Sequence, residues 1–119
     1  MKIAITAMGK EIDSQVDPRF GRAHYILIVH QDGTVSEAID NGQNFNTMRG
    51  AGIQTAKNLA DRKVEVLLTG HCGPNAFRTL EAARIKVVVE QSGTVKEALD
   101  RFNRSEVTFA NQPNVEGHW

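Results

Sequence analysis

The run Lys2–Met8 limits the choice of fold more than any other stretch of the chain. Ile3, Ile5 and Ala7 alternate with Ala4, Thr6 and Met8, so a strand here has no charged face. Such a strand needs cover on both sides, which is the habit of sheets whose strands are joined by helical crossovers.

The rest of the chain supplies the partners. A second strand is predicted over His24–His30, followed by Asp32-Gly33, a hairpin signal, and a third antiparallel strand over Val35–Ile39. Gly50-Ala51-Gly52 opens a helix to about Asp61 that keeps Ile53, Ala56 and Ala60 on one face. Val64–Thr69 reads as a strand and Gly70–Gly73 as a turn. Pro74 suits a first helical position, where its missing amide hydrogen costs nothing. That helix runs to about Arg84, with Ala76, Phe77, Leu80 and Ala83 inward, and Ile85–Val89 is the fifth strand. Thr94 and Glu97 form a capping-box pattern ahead of a helix striped with Val95, Ala98, Leu99 and Phe102. A hairpin half followed by two crossovers predicts a three-layer α/β fold, a mixed five-stranded sheet with three helices. The domain is expected over residues 1–104, and 105–119, with little periodicity, as a loosely held extension.

With 119 residues and 40% hydrophobic content, one core can form without a disulfide or structural metal. The 14 basic and 14 acidic residues balance, which argues against broad nucleic-acid binding. A single cysteine, Cys72, rules out a disulfide within the chain and suits a reducing cytoplasm. The opening apolar run is too short for a signal peptide, and the longest apolar runs are of strand length, so no membrane span is expected.

Ligands of open α/β sheets gather beyond the carboxyl ends of the parallel strands. The helix starts at Gly50-Ala51-Gly52 and Gly73-Pro74-Asn75 are expected there, and their amides and dipoles favour an anion. The loop Gly9–Arg22, long for a compact domain, adds Arg19 and Arg22. These arginines either contact an anion or pair with Asp13 and Asp17. His71-Cys72 offers an imidazole and a thiol, soft enough for iron, copper or molybdenum–sulfur species. A lone cysteine is equally a small buried hydrophobe, and four-thiolate ligation within one chain is impossible. His24 is either a ligand or a polar strand start. A two-metal nuclease needs converging carboxylates, and the first strand has none.

The stretch Asp13-Ser14-Gln15-Val16-Asp17-Pro18-Arg19-Phe20-Gly21-Arg22-Ala23 resembles the signature of the dinitrogenase iron–molybdenum cofactor biosynthesis family. Asn41, Gly50-Ala51-Gly52-Ile53, Gly73-Pro74-Asn75-Ala76-Phe77 and Gly93-Thr94-Val95 extend the match in order over about residues 1–103. The resemblance implies a ribonuclease H-like fold. It also implies handling of iron–molybdenum cofactor, its iron–sulfur precursor or another metal–sulfur cluster, as in a relative from sulfate reducers with a molybdenum–copper sulfide cluster. Arg19, Phe20, Gly21, Arg22, Gly50, Ala51, Gly52, Gly73 and Asn75 are the cofactor-binding residues it implies. His71, Cys72 and His24 are this chain's own metal-ligand candidates. The expected function is a non-enzymatic carrier, monomeric or a small homo-oligomer, whose partners are the cofactor and cofactor-assembly proteins. The alternatives are a cofactor-free regulatory or interaction protein and, less favoured, a metal-dependent nuclease or hydrolase.

Overall fold

The computed structural model describes residues 1–42 and 51–115. Five strands, β1 (Ile3–Ala7), β2 (Tyr25–Val29), β3 (Val35–Asp40), β4 (Val66–Leu68) and β5 (Lys86–Val88), form one sheet in the order β3-β2-β1-β4-β5. β1 pairs antiparallel with β2 and parallel with β4, β2 pairs antiparallel with β3, and β4 pairs parallel with β5. The mixed five-stranded sheet expected from the two crossovers is therefore the one observed.

Three helices cover it: α1 (Ala51–Asp61), α2 (Pro74–Ala82) and α3 (Val95–Asn103). All five β1 residues are buried because each face has its own core. Ala4, Ile26, Ile28, Leu67 and Val87 meet Ala56 and Leu59 of α1 and Ala76, Phe77 and Leu80 of α2. On the other face, Ile3, Ile5, Leu27, Val29, Leu68 and Val88 meet Val95, Ala98 and Leu99 of α3. The charge-free pattern of Ile3–Ala7 thus has a simple cause, since no position on this central strand reaches water.

One helix end falls short of the sequence reading. α2 stops at Ala82, and Arg84 takes a left-handed conformation at φ 61°. There the Ile85 amide donates to Leu80 O at 2.9 Å and the Arg84 amide to Glu81 O at 2.9 Å, the paired bonds of a Schellman stop. The same pairing follows α1, where the Val64 amide reaches Leu59 O and the Lys63 amide reaches Ala60 O, and follows α3 at Glu106 and Ser105. Lys63 and Ser105 are left-handed as well, at φ 57° and 58°. None of the three stops uses the glycine that would announce it.

The extension beyond α3 is not loosely held as far as it is described. The Ala110 amide donates to Val87 O at 2.7 Å, against β5. Phe109 meets Phe102 edge-on at 6.5 Å and lies under the Lys86 ammonium at 5.0 Å. These contacts carry the chain back along the sheet to Asn114.

Candidate functional site

The register brings the relevant segments to one edge. Parallel pairing sets the carboxyl ends of β1, β4 and β5 together, and the antiparallel β2 starts there while β3 ends there. Asp17, Arg19, His24, Asn41 and the turn 70–73 all meet at this edge.

Asp17 is the pin of the signature loop. Its side chain is fully buried. One carboxylate oxygen accepts from the Arg19 amide at 3.1 Å, and the other accepts from the His24 amide at 3.1 Å and meets His24 Nδ1 at 3.0 Å. Arg19 Nε is 3.8 Å away. A buried carboxylate is tolerable only with such a set of donors and countercharge. The backbone of Asp17 is tied to the sheet: its amide donates to Thr6 O and its carbonyl accepts from Thr6 Oγ1 at 2.7 Å. The Thr6 hydroxyl proton is then used, so at the 2.9 Å contact between the two hydroxyls Thr69 is the donor.

The next residues run beside the turn after β4. The His71 amide donates to Pro18 O at 2.7 Å and the Phe20 amide to His71 O at 3.2 Å, a parallel bridge between Arg19 and His71. Gly70 permits it, since a Cβ there would lie 2.7 Å from both Pro18 Cα and Pro18 O. Gly21 touches α1 in the same manner, with a Cβ position only 2.5 Å from the Gly52 amide nitrogen. Asn41, buried, donates from Nδ2 to Gly21 O at 3.1 Å and to Ala23 O at 2.9 Å. Thr55 Oγ1 lies 3.3 Å from Asn41 Oδ1 and donates to Ala51 O at 2.8 Å.

The structure thus brings Arg19, His24 and His71, all half-buried, to one rim together with the start of α2, and Arg22, also half-buried, lies in the loop between Gly21 and Ala23. That start is capped by Gly73, whose backbone is extended, with no side-chain cap hydrogen bond, and Asn75 beside it is exposed. Two of the candidates sit deeper than the rim. Phe20 is 1% exposed and packs in the core with Ala56 and Phe77, so it anchors the loop and does not line the rim. Cys72 is fully buried in the same core, which keeps its sulfur away from the rim, and burial pushes its thiol up to about 12. Gly21, Ala51 and Gly52 are buried where loop and helix meet, and Gly73 is buried at the α2 cap. Gly50 lies outside the described residues. Among the described residues, no three His, Cys, Asp or Glu side chains group to hold a metal ion.

Sequence reasoning missed the Thr6–Thr69 pair and Asn114. The Asn114 side chain accepts from the Cys72 amide at 2.8 Å, donates to Gly70 O at 3.1 Å and meets His71 Nδ1 at 3.3 Å. Nothing in an aperiodic tail points to an asparagine reaching back to residue 71.

A family model described as dinitrogenase iron–molybdenum cofactor matches residues 1–105. The chain belongs to the dinitrogenase iron–molybdenum cofactor family. That family is involved in iron–molybdenum cofactor biosynthesis and binding. Among solved structures it is similar to the apo form of the orange protein from Desulfovibrio gigas, at 43% identity over 96% of each chain with a TM-score of 0.91. It is also similar to a Thermotoga protein described as a candidate NifB protein, at 36% identity over 91% of each chain with a TM-score of 0.78. A Methanocaldococcus jannaschii protein at 18% identity and a TM-score of 0.67 shares the fold. No curated protein matches the chain. No helix among the described residues is long and apolar enough to cross a membrane.

Proposed function

We propose that this protein binds and carries an anionic metal–sulfur cluster at the carboxyl edge of its sheet, and that it is a binding protein with no reaction of its own. The observation behind this reading is the convergence of Arg19, His24 and His71 on one rim, fixed by buried Asp17 and by the Arg19–His71 bridge, with Arg22 in the same loop. Sulfide-rich clusters expose anionic sulfur. Guanidinium and imidazole N–H groups suit such a surface, and the amides that open α2 add to the same potential.

The donor set favours an outer hold by charge and hydrogen bonds. Cys72 is withdrawn into the core, away from the rim, so the cluster keeps its own sulfur ligands and the protein supplies the surroundings. Arg19 and His24 both share their charge with Asp17, at 3.8 and 3.0 Å. Family membership and the similarity to the apo orange protein support the choice of guest. Transfer to or from assembly proteins in a reducing cytoplasm is the finer part of the same proposal.

The test is anaerobic incubation with tetrathiomolybdate, with and without copper(I), followed by gel filtration, metal analysis and visible absorption. Stoichiometric molybdenum should travel with the protein, and affinity should fall as salt is raised because rim charges are screened. Replacing both Arg19 and Arg22 by Ala should weaken binding by about tenfold or more. Protein that emerges colourless and metal-free overturns the reading and favours a cofactor-free interaction protein.

A further inference from the structure

The amide of Asn114 can be oriented without ambiguity. One end faces the Cys72 N–H at 2.8 Å, a group that only donates, so that end is the carbonyl oxygen. The other faces the Gly70 carbonyl at 3.1 Å, a group that only accepts, so that end is the NH2. The second hydrogen of this NH2 is directed at His71 Nδ1, 3.3 Å away. An NH2 group has nothing to accept with. Nδ1 must therefore present its lone pair, and the ring proton of His71 sits on Nε2, on the side of the ring remote from Asn114. The backbone of Asn114 reinforces the grip, its amide donating to Cys72 O at 3.2 Å.

His24 has the opposite arrangement. Its Nδ1 lies 3.0 Å from the Asp17 carboxylate, which only accepts, so Nδ1 of His24 holds a proton. The two histidines of the rim are thus set differently by two different neighbours, one in the signature loop and one in the tail.

We propose that Asn114 is a positioning residue of the binding site: it fixes His71 as an Nε2–H donor to an anionic sulfur guest and rules out His71 as a metal ligand through Nδ1. This deepens the carrier reading and rests on it for the guest, while the Asn114–His71 link stands on the apo protein alone. Asn114 lies outside the matched residues 1–105, so the site includes a residue that the family match does not reach.

The apo test is side-chain nitrogen NMR of the full chain labelled at histidine. Wild-type His71 should show the Nε2–H form, and Asn114→Asp, which turns an acceptor toward the ring, should move it to the Nδ1–H form. Asn114→Ala should give a mixture. A wild-type His71 in the Nδ1–H form, or one indifferent to both substitutions, overturns the inference whatever the protein binds.

The second arm uses tetrathiomolybdate as probe. His71→Gln keeps an N–H donor at similar reach and should bind within about twofold of wild type, whereas His71→Ala should lose about five- to tenfold, the loss of one hydrogen bond to a charged acceptor. Equal losses in both variants mark a metal ligand and overturn the donor assignment. A wild type that takes up no thiomolybdate overturns the carrier reading, and the NMR result then decides the Asn114–His71 link by itself.

Discussion

Replacing Gly21 by Ala tests how the signature loop is held. The added Cβ would lie 2.5 Å from the Gly52 amide nitrogen, 2.7 Å from Gly52 Cα and 3.0 Å from the Ala51 carbonyl carbon. These are backbone atoms at the start of α1 and cannot swing aside. The nearest contact is roughly 1 Å short of the separation at which heavy atoms rest, so loop and helix must part by about that much. Gly21 O then leaves the Asn41 amide, now 3.1 Å away. Overpacking of this kind costs about 1–3 kcal/mol, and the weakened buried hydrogen bond adds about 1 kcal/mol. For a chain of this size about 2–4 kcal/mol lowers Tm by roughly 8–16 °C. Gly33→Ala is the control: it lies in the β2–β3 turn at φ 93° with open space around it. Its cost is confined to the left-handed backbone, about 1 kcal/mol. Urea and thermal unfolding followed by circular dichroism give both numbers. If Gly21→Ala proves no more harmful than Gly33→Ala, the loop does not rest on α1 as described.

Other expectations are simpler. Asn41→Asp should destabilise the protein more than Asn41→Ala, because a carboxylate would face the Gly21 and Ala23 carbonyls that the amide now serves; urea midpoints decide it. The Cys72 thiol, pushed up from 9.0 to about 12, should resist iodoacetamide until the protein unfolds. Between those values the unfolded chain loses the proton that the folded one keeps. Stability should therefore fall from pH 9 upward with a slope of up to about 1.4 kcal/mol per pH unit, and a Cys72→Ala titration should flatten it. Glycine at Lys63, Arg84 or Ser105 should stabilise by several tenths of a kcal/mol each by relieving left-handed strain, with the effects adding in the triple variant. Thr94→Ala should cost about 1 kcal/mol by opening the reciprocal Thr94–Glu97 cap, visible as a lower Tm.

The architecture was legible because its determinants are periodic. The two faces of β1, the stripes of α1 to α3 and the Asp32-Gly33 turn each leave a mark at fixed spacing, and the observed sheet follows from them. The end of α1 at Asp61 was legible, but that of α2 was read two residues too long, because Arg84 adopts a left-handed conformation that glycine normally signals. At the rim, residue types announced the chemistry but not the depth. Phe20 and Cys72 sit within the same short stretches as Arg19 and His71, and a difference of one position decides between core and surface. Asn41, noted only as part of the resemblance, turns out to hold up two loop carbonyls. The reach of Asn114 to His71 depends on the path of the intervening chain, which no local pattern encodes.

That path has a consequence for solubility. With Ala110 bonded to Val87, the outer rim of β5 is occupied by the chain's own tail, while the opposite rim, β3, shows water the charges of Glu37 and Asp40. Unoccupied strand rims recruit other chains. A version trimmed to residues 1–105 would retain the whole family match and both cores, yet leave the backbone of β5 open to a neighbour. Such a fragment would be expected to form concentration-dependent assemblies through a surface that the longer chain keeps sealed, so that the tail acts as an internal guard against self-association.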